Sequence, residues 1–171
     1  HLLTSLSIYK LVANIPYYIT GQVIRKFLSE EKLQPSLMVL MLQKEVAKRI
    51  ISDKNKENLL SLSVKVYGEP KYIKTVPAGA FEPKPKVDSA ILQIKNISRD
   101  YFSEIKEEKF FEIIKKGFAQ KRKLLKGNLR GLLADHAPCE ASAKQGDDIF
   151  KTCGISPKAR AEDLNLENWQ C

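Results

Sequence analysis

Cysteine is scarce in this chain and badly spaced for chemistry. Cys139, Cys153 and Cys171 are odd in number and never fall in C-x-x-C spacing. That pattern argues against a zinc site or a disulfide framework and fits a reducing cytoplasm. Long hydrophobic runs are missing as well. The longest, Leu37 to Leu42, is strand-sized and too short to span a bilayer. No signal peptide, transit segment or basic amphipathic N-terminus is visible, so no membrane partner is expected. The eight glycines include no pair in G-x-G spacing. Acid is in deficit. Twenty Asp and Glu face 29 Lys and Arg, for a formal charge of +9 and a pI near 9.4. That imbalance points to a polyanionic partner. What is present is 43% hydrophobic content in 171 residues, enough for one large domain or a domain and a half.

The stretch Leu11-Val12-Ala13-Asn14-Ile15-Pro16-Tyr17-Tyr18 carries the most information. Leu11, Val12 and Ala13 read as a buried strand spanning about 8–14. Pro16 lacks an N–H and cannot continue a central strand, so the chain turns there. Open α/β sheets place ligands at such strand ends. The turn offers the Asn14 amide, carbonyls around Ile15 and Pro16 without ladder partners, and the Tyr17 ring. That set suits a planar base with an exocyclic amine, which the oxygens accept from and the ring stacks upon. An ordinary strand-end turn with a core tyrosine would read the same way.

Further on, Val23, Ile24, Phe27 and Leu28 give a helix an apolar face, with Thr20 as its cap. Leu37 to Leu42 shows no polar alternation, as in a strand covered on both faces. A helix at about 43–51 buries Val46, Ala47, Ile50 and Ile51. Leu60, Leu62, Val64 and Val66 then alternate with polar neighbours, predicting a half-exposed strand. Gly68-Glu69-Pro70 gives a kink, Tyr72 to Val76 resumes the extended chain, and a Pro-rich loop spans 77–85. Val87 to Ile94 is the last strand. Strands stop near 96–108. A continuous helix over 108–133 would put Phe110, Ile114, Phe118, Leu125, Leu129 and Leu132 on one face. Lys115, Arg122, Lys126 and Arg130 would then form a neighbouring stripe. Between Lys115 and Arg130 there are seven basic residues and no acid. A loop over 134–146, which includes His136, and a short helix at about 147–153 follow.

Five blocks resemble, in order and spacing, the ribosomal RNA adenine N6-dimethyltransferase family. They are Asn14-Ile15-Pro16-Tyr17, the run from Leu42 to Arg49, and Phe81-Glu82-Pro83-Lys84-Pro85-Lys86-Val87-Asp88-Ser89-Ala90. The last two are Phe118-Ala119-Gln120-Lys121-Arg122-Lys123 and the segment from Gly154 through Arg160 to Leu164. The resemblance is to the housekeeping type, which dimethylates two adjacent adenosines near the 3′ end of small-subunit rRNA.

The resemblance implies an α/β fold: the C-terminal half of a Rossmann-like methyltransferase sheet followed by a small α-helical domain. Residues 1–98 would be a partial Rossmann-like domain and 99–171 a helical RNA-recognition domain. The family binds S-adenosylmethionine at a glycine-rich turn, with an acidic residue after the next strand, and neither is found here. The chain is therefore expected to be an N-terminally truncated fragment that also stops short in its final helical segment.

Asn14, Ile15, Pro16, Tyr17 and Phe81 are the implied catalytic residues, and Asn14 and Pro16 border the cofactor. Tyr17 and Phe81 would stack on the target adenine once it leaves its own stack. Tyr18, where relatives often carry Asn, is open between RNA contact and packing. Asp88 and Ser89 read as structural, fixing the turn into the last strand. Gln43, Lys44 and Glu45 match a family block without a chemical reason. Lys115, Lys121, Arg122, Lys123, Lys126 and Arg130 are expected to contact phosphates. Arg160 is a phosphate or structural-pair candidate. The implied partner is small-subunit rRNA or the pre-small ribosomal subunit, the expected state a cytoplasmic monomer, and no metal is expected. Two other readings stand beside this one: the erythromycin-resistance type acting on large-subunit rRNA, and a non-catalytic RNA-binding assembly module.

Overall fold

A computed structural model describes residues 9–52, 56–134 and 148–171. The chain folds into two compact units, His1–Ile51 with Val64–Tyr101, and Ser52–Ser63 with Phe102–Cys171. Residues 52–63 thus group with the helical residues and not with the first unit, where a division at 98/99 places them.

The first unit is built on a four-stranded sheet of order β1-β2-β4-β3. Its strands are β1 (Lys10–Asn14), β2 (Leu37–Gln43), β3 (Glu69–Val76) and β4 (Ser89–Lys95). β1 and β2 run parallel, and β4 is antiparallel to both of its neighbours. Met38, Leu40 and Leu42 of β2 are fully buried opposite Ile94, Leu92 and Ala90 of β4. Burying one large aliphatic side chain contributes about 1.5–3 kcal/mol. A one-residue slip would turn this whole layer to the opposite face, so the layer fixes the register. Leu37, Val39 and Met41 on the other face are only half-buried. The run Leu11-Val12-Ala13, expected to be buried, is not: Val12 is 75% exposed. Among the described residues β1 pairs only with β2, so its other edge has no strand beside it.

After β1 a 3-10 turn, Tyr17–Ile19, leads into α1 (Thr20–Arg25), which continues as a π turn at Lys26–Glu30. Ile24 and Leu28 are buried and Val23 and Phe27 half-buried, the face the spacing predicts. Thr20 makes no capping bond and is itself buried. It is the first residue of the helix, its N–H taken by the Tyr17 carbonyl of the preceding turn, so the cap position falls on Ile19, which has no side-chain acceptor. Arg99 Nη2 donates to the Ser29 carbonyl and, at 3.1 Å, to the Glu31 carbonyl, closing the end of this segment. α2 (Lys44–Ile51) buries Ala47 and Ile50.

The alternating stretch after residue 58 is a helix, α3 (Leu59–Lys65), and not the predicted strand. Asn58 decides this. Its Oδ1 accepts from the N–H groups of Leu60 and Ser61 at 3.0 and 3.1 Å, and its own N–H donates to Ser61 Oγ at 2.8 Å. This reciprocal cap satisfies the first turn, and short apolar alternation cannot outweigh it. Strand β3 follows directly. The irregularity lies between Tyr72 and Lys74, later than Gly68-Glu69-Pro70 suggested. Gly68 is instead required by close packing, since a Cβ there would sit 2.7 Å from the Lys95 carbonyl oxygen.

The second unit contains α4 (Glu107–Gly117), α5 (Leu125–Ala134), a helical segment at 148–152 (α6) and α7 (Leu166–Gln170). The single helix expected over 108–133 is therefore two helices, and the basic stripe is broken with it. Phe118 leaves helical geometry at φ −89° and ψ 1°, and α4 stops at Gly117. A Cβ there would meet Trp169 Cη2 at 2.4 Å, so the chain packs closely at that point. Asn128 Nδ2 then holds the freed carbonyls of Gly117 and Gln120 at 2.6 and 3.1 Å. Phe110, Ile114, Leu125, Phe150, Leu164 and Trp169 form the core, and Phe118 stacks on Trp169 with ring centroids 5.7 Å apart. Residues 135–147, with His136, Cys139 and most of the predicted loop, lie outside the described residues.

The expectation of no disulfide is overturned. Cys153 and Cys171 are bonded, with Cα atoms 5.7 Å apart across a sequence separation of 18. Local cysteine spacing says nothing about pairs that the fold brings together. Thiol titration of the denatured, unreduced protein should therefore count two fewer reactive thiols than the same titration after reduction.

Candidate active site

The ladder between β1 and β2 runs one residue past β1, where the Ile15 N–H donates to the Met41 carbonyl at 3.1 Å. Pro16 then ends it, having no N–H to give. With φ −55° and ψ 131°, Pro16 lifts the chain into the 3-10 turn, and its carbonyl accepts the Ile19 N–H at 3.1 Å. Ile15 is buried and anchors the turn. Asn14 stands on the exposed side of β1, and its side chain has no hydrogen-bond partner among the described residues.

The second wall of the site comes from the loop between β3 and β4. Pro77 leads into a 3-10 turn at Ala78–Ala80, and Phe81 follows in extended conformation. The Glu82–Pro83 peptide bond is cis. Asp88 ties this loop down. Its Oδ1 accepts the Ala78 N–H at 3.1 Å and its Oδ2 accepts from Lys44 Nζ at 3.0 Å. Its backbone carbonyl accepts the Lys44 N–H at 3.0 Å. The Lys44 ammonium first, and the Ala78 N–H second, hold the Asp88 carboxyl below the usual aspartate range. This gives Lys44 the physical role that the sequence did not show. Glu45 stays exposed in the first turn of α2.

Between the two walls lies an open cleft of about 290 Å³, lined by Asn14, Ile15, Pro16, Tyr17, Phe81, Pro83, Pro85 and Ser89. All five residues singled out as catalytic meet there. The volume is at the low end for small-molecule sites, which run from about 300 to 1,000 Å³. Two aromatic rings, prolines and an unpaired amide are what a planar base needs. One lining residue, Ser89, reads from the sequence as structural alone. It is the first residue of β4 and 1% exposed, and its Oγ lies 2.8 Å from the Tyr17 hydroxyl. No local pattern signals that contact, since β4 also carries the polar Gln93 and Lys95. Tyr18 is 87% exposed, which removes packing as its purpose.

The basic candidates all belong to the second unit. Lys115 is exposed on α4 and Arg130 on α5, while Lys126 is half-buried. Lys121, Arg122 and Lys123 are exposed in the turn between these helices, with no ion pair among the described residues. Arg160 is exposed, and its N–H donates to Asp163 Oδ2 at 2.9 Å, opening the 3-10 turn Ala161–Asp163.

The family model described as "Ribosomal RNA adenine dimethylase" matches residues 4–169. The chain belongs to the ribosomal RNA adenine dimethylase family. A family member from Dehalococcoides mccartyi (strain CBDB1), ribosomal RNA small subunit methyltransferase A, is 44% identical over 162 residues, covering 95% of this chain and 53% of that protein. The protein of the same name from Fusobacterium nucleatum subsp. nucleatum is 38% identical, covering 94% and 58%. The chain thus spans about half the length of the curated relatives it matches. Among solved structures, a dimethyladenosine transferase from Plasmodium falciparum has a TM-score of 0.76 at 23% identity, covering 94% of this chain and 64% of that one. The 23S rRNA methyltransferase ErmE has a TM-score of 0.70 at 19% identity, covering 96% and 66%. These likenesses show the fold, a Rossmann-like α/β sheet. Among the described residues no helix is long and apolar enough to cross a membrane, and no group of three or more His, Cys, Asp or Glu could hold a metal ion.

A depressed carboxyl stabilises the folded state above its unfolded value, at about pH 4, and that contribution is lost as pH falls through the folded value. Side-chain carboxyl titration by NMR should give Asp88 a midpoint below that of unpaired aspartates. Lys44→Ala should raise it toward the ordinary value.

Proposed function

We propose that this chain supplies the target-base side of an S-adenosylmethionine-dependent rRNA adenine N6-dimethyltransferase, acting on two adjacent adenosines of small-subunit rRNA. The observation that carries this is the convergence of Asn14, Tyr17 and Phe81 on one cleft, with the Asn14 amide unpartnered among the described residues. A non-catalytic stacking module would need the rings but not the amide. The names of the relatives at 38–44% identity favour the small subunit over the large.

The adenine N6 lone pair is delocalised into its ring, which makes the nitrogen a poor nucleophile. Asn14 Oδ1 and a carbonyl of the Ile15–Pro16 turn would accept the two N6 hydrogens. That draws the nitrogen toward a pyramidal shape and stabilises the positive charge growing on it. Tyr17 and Phe81 hold the base from its faces, and positioning supplies much of the rate. No strong general base is required, because the amine becomes acidic only after it has gained its substituent. S-adenosylmethionine would supply the electrophilic methyl group when bound. Asn14 and Pro16 fit one edge of that cofactor, since a free amide and a proline ring border the cleft. No glycine-rich turn in this chain provides the other edge. The exposed Lys121, Arg122 and Lys123, with Lys115, Lys126, Arg130 and Arg160, would contact phosphates. A small-subunit rRNA substrate would place the protein in the cytoplasm.

In the full natural chain, Asn14→Ala should lower kcat for methyl transfer to unmethylated small subunits by about 100- to 1,000-fold while leaving RNA affinity near normal. Unchanged turnover would remove Asn14 from the chemistry. Replacing Lys121, Arg122 and Lys123 with Ala should weaken RNA binding and reduce its salt slope by about 2 to 3. An unmoved slope would make the three residues a merely solvated surface.

A further inference from the structure

The Tyr17 ring is the one stacking surface of the cleft whose polar end is held. Its hydroxyl lies 2.8 Å from Ser89 Oγ, with either group able to donate. Tyr17 itself sits in a three-residue 3-10 turn, a short element without a long hydrogen-bond ladder to fix it. Ser89 is the opposite kind of residue. It is 1% exposed and opens the central strand β4, paired with Gln43 on one side and Val76 on the other. Its neighbour Asp88 is fixed by Lys44 and Ala78. The serine hydroxyl is therefore one of the best-anchored polar groups lining the cleft, and it is directed to the tyrosine.

We infer that Ser89 is a positioning residue: its hydroxyl aims the Tyr17 ring at the target base and thereby sets the angle at which the base is presented. This deepens the adenine-methylation reading and rests on it. The physical reason is geometric. A tyrosine tethered only through Cβ can swing about χ1, and a base stacked on it would swing with it. A bond at the far end of the ring fixes that second point. Small misplacements of a reacting group are costly in rate, whereas affinity comes mainly from phosphate contacts elsewhere. The effect of losing the bond should fall on kcat and not on KM.

The test is a double-mutant cycle in the full natural chain, with RNA methyl transfer as one readout. Tyr17→Phe removes the bond and keeps the ring, and Ser89→Ala removes it from the other side, so each checks the other should one variant fold poorly. Each single substitution should lower kcat about tenfold and leave the RNA KM within about twofold. The double variant should be no worse than either single, because one shared bond can be lost only once. The second readout needs no activity: nuclear relaxation of the Tyr17 ring carbons should show a more mobile ring in Ser89→Ala than in the parent. Multiplying losses in the double variant, wild-type kcat in Ser89→Ala, or an equally ordered ring would each overturn the assignment. Failure of the parent protein to methylate RNA at all would strike the underlying reading instead, and the ring-relaxation comparison would still judge the tether.

Discussion

The site exists because β4 runs antiparallel between β2 and β3. Antiparallel pairing puts the first residue of β4, Ser89, opposite the last residue of β2, Gln43. Parallel pairing puts the last residue of β1, Asn14, opposite Met41 near the same end of β2. The end of one strand and the start of another thus meet across a single strand's width. Had β4 run parallel, the loop bearing Phe81 would open at the far end of the sheet. The force behind the arrangement is the buried layer of Met38, Leu40 and Leu42 against Ile94, Leu92 and Ala90. That apolar layer fixes the register, and the polar residues at its end inherit their places from it.

Much of this architecture is legible in the residues. Pro16 announces the end of β1, the unbroken apolar run of β2 announces a central strand, and the five family blocks place Asn14, Tyr17 and Phe81 in one neighbourhood. The misreadings have physical causes. The stretch at 60–67 alternates like a strand, yet the helix is decided by Asn58 and Ser61, two polar residues that a pattern of apolar positions does not weigh. The helix expected over 108–133 stops at Gly117, where Trp169, more than fifty residues later, packs closely and Asn128 of the next helix takes up the carbonyls of Gly117 and Gln120. The Cys153–Cys171 bond and the Tyr17–Ser89 contact are likewise products of tertiary proximity. No local spacing contains them.

The two ends of the cleft are stabilised differently. The Asn14 side rests on backbone: a ladder that stops at a proline and a turn that closes on itself. The Phe81 side rests on one carboxylate, whose oxygens reach Ala78 and Lys44. The ion pair is partly exposed and contributes little as a surface pair. Its value is in geometry, since it joins a proline-rich loop to the first residue of α2.

β3 lies at the border of the sheet and carries Pro70, Lys71, Lys74 and an irregularity that leaves Ile73 46% exposed. Each of these spoils the strand as a template for another chain. Proline offers no N–H, the lysines repel a second copy, and the bulge twists the free backbone out of line. The same sequence that shapes the run-up to the Phe81 loop therefore also guards this border against edge-to-edge aggregation.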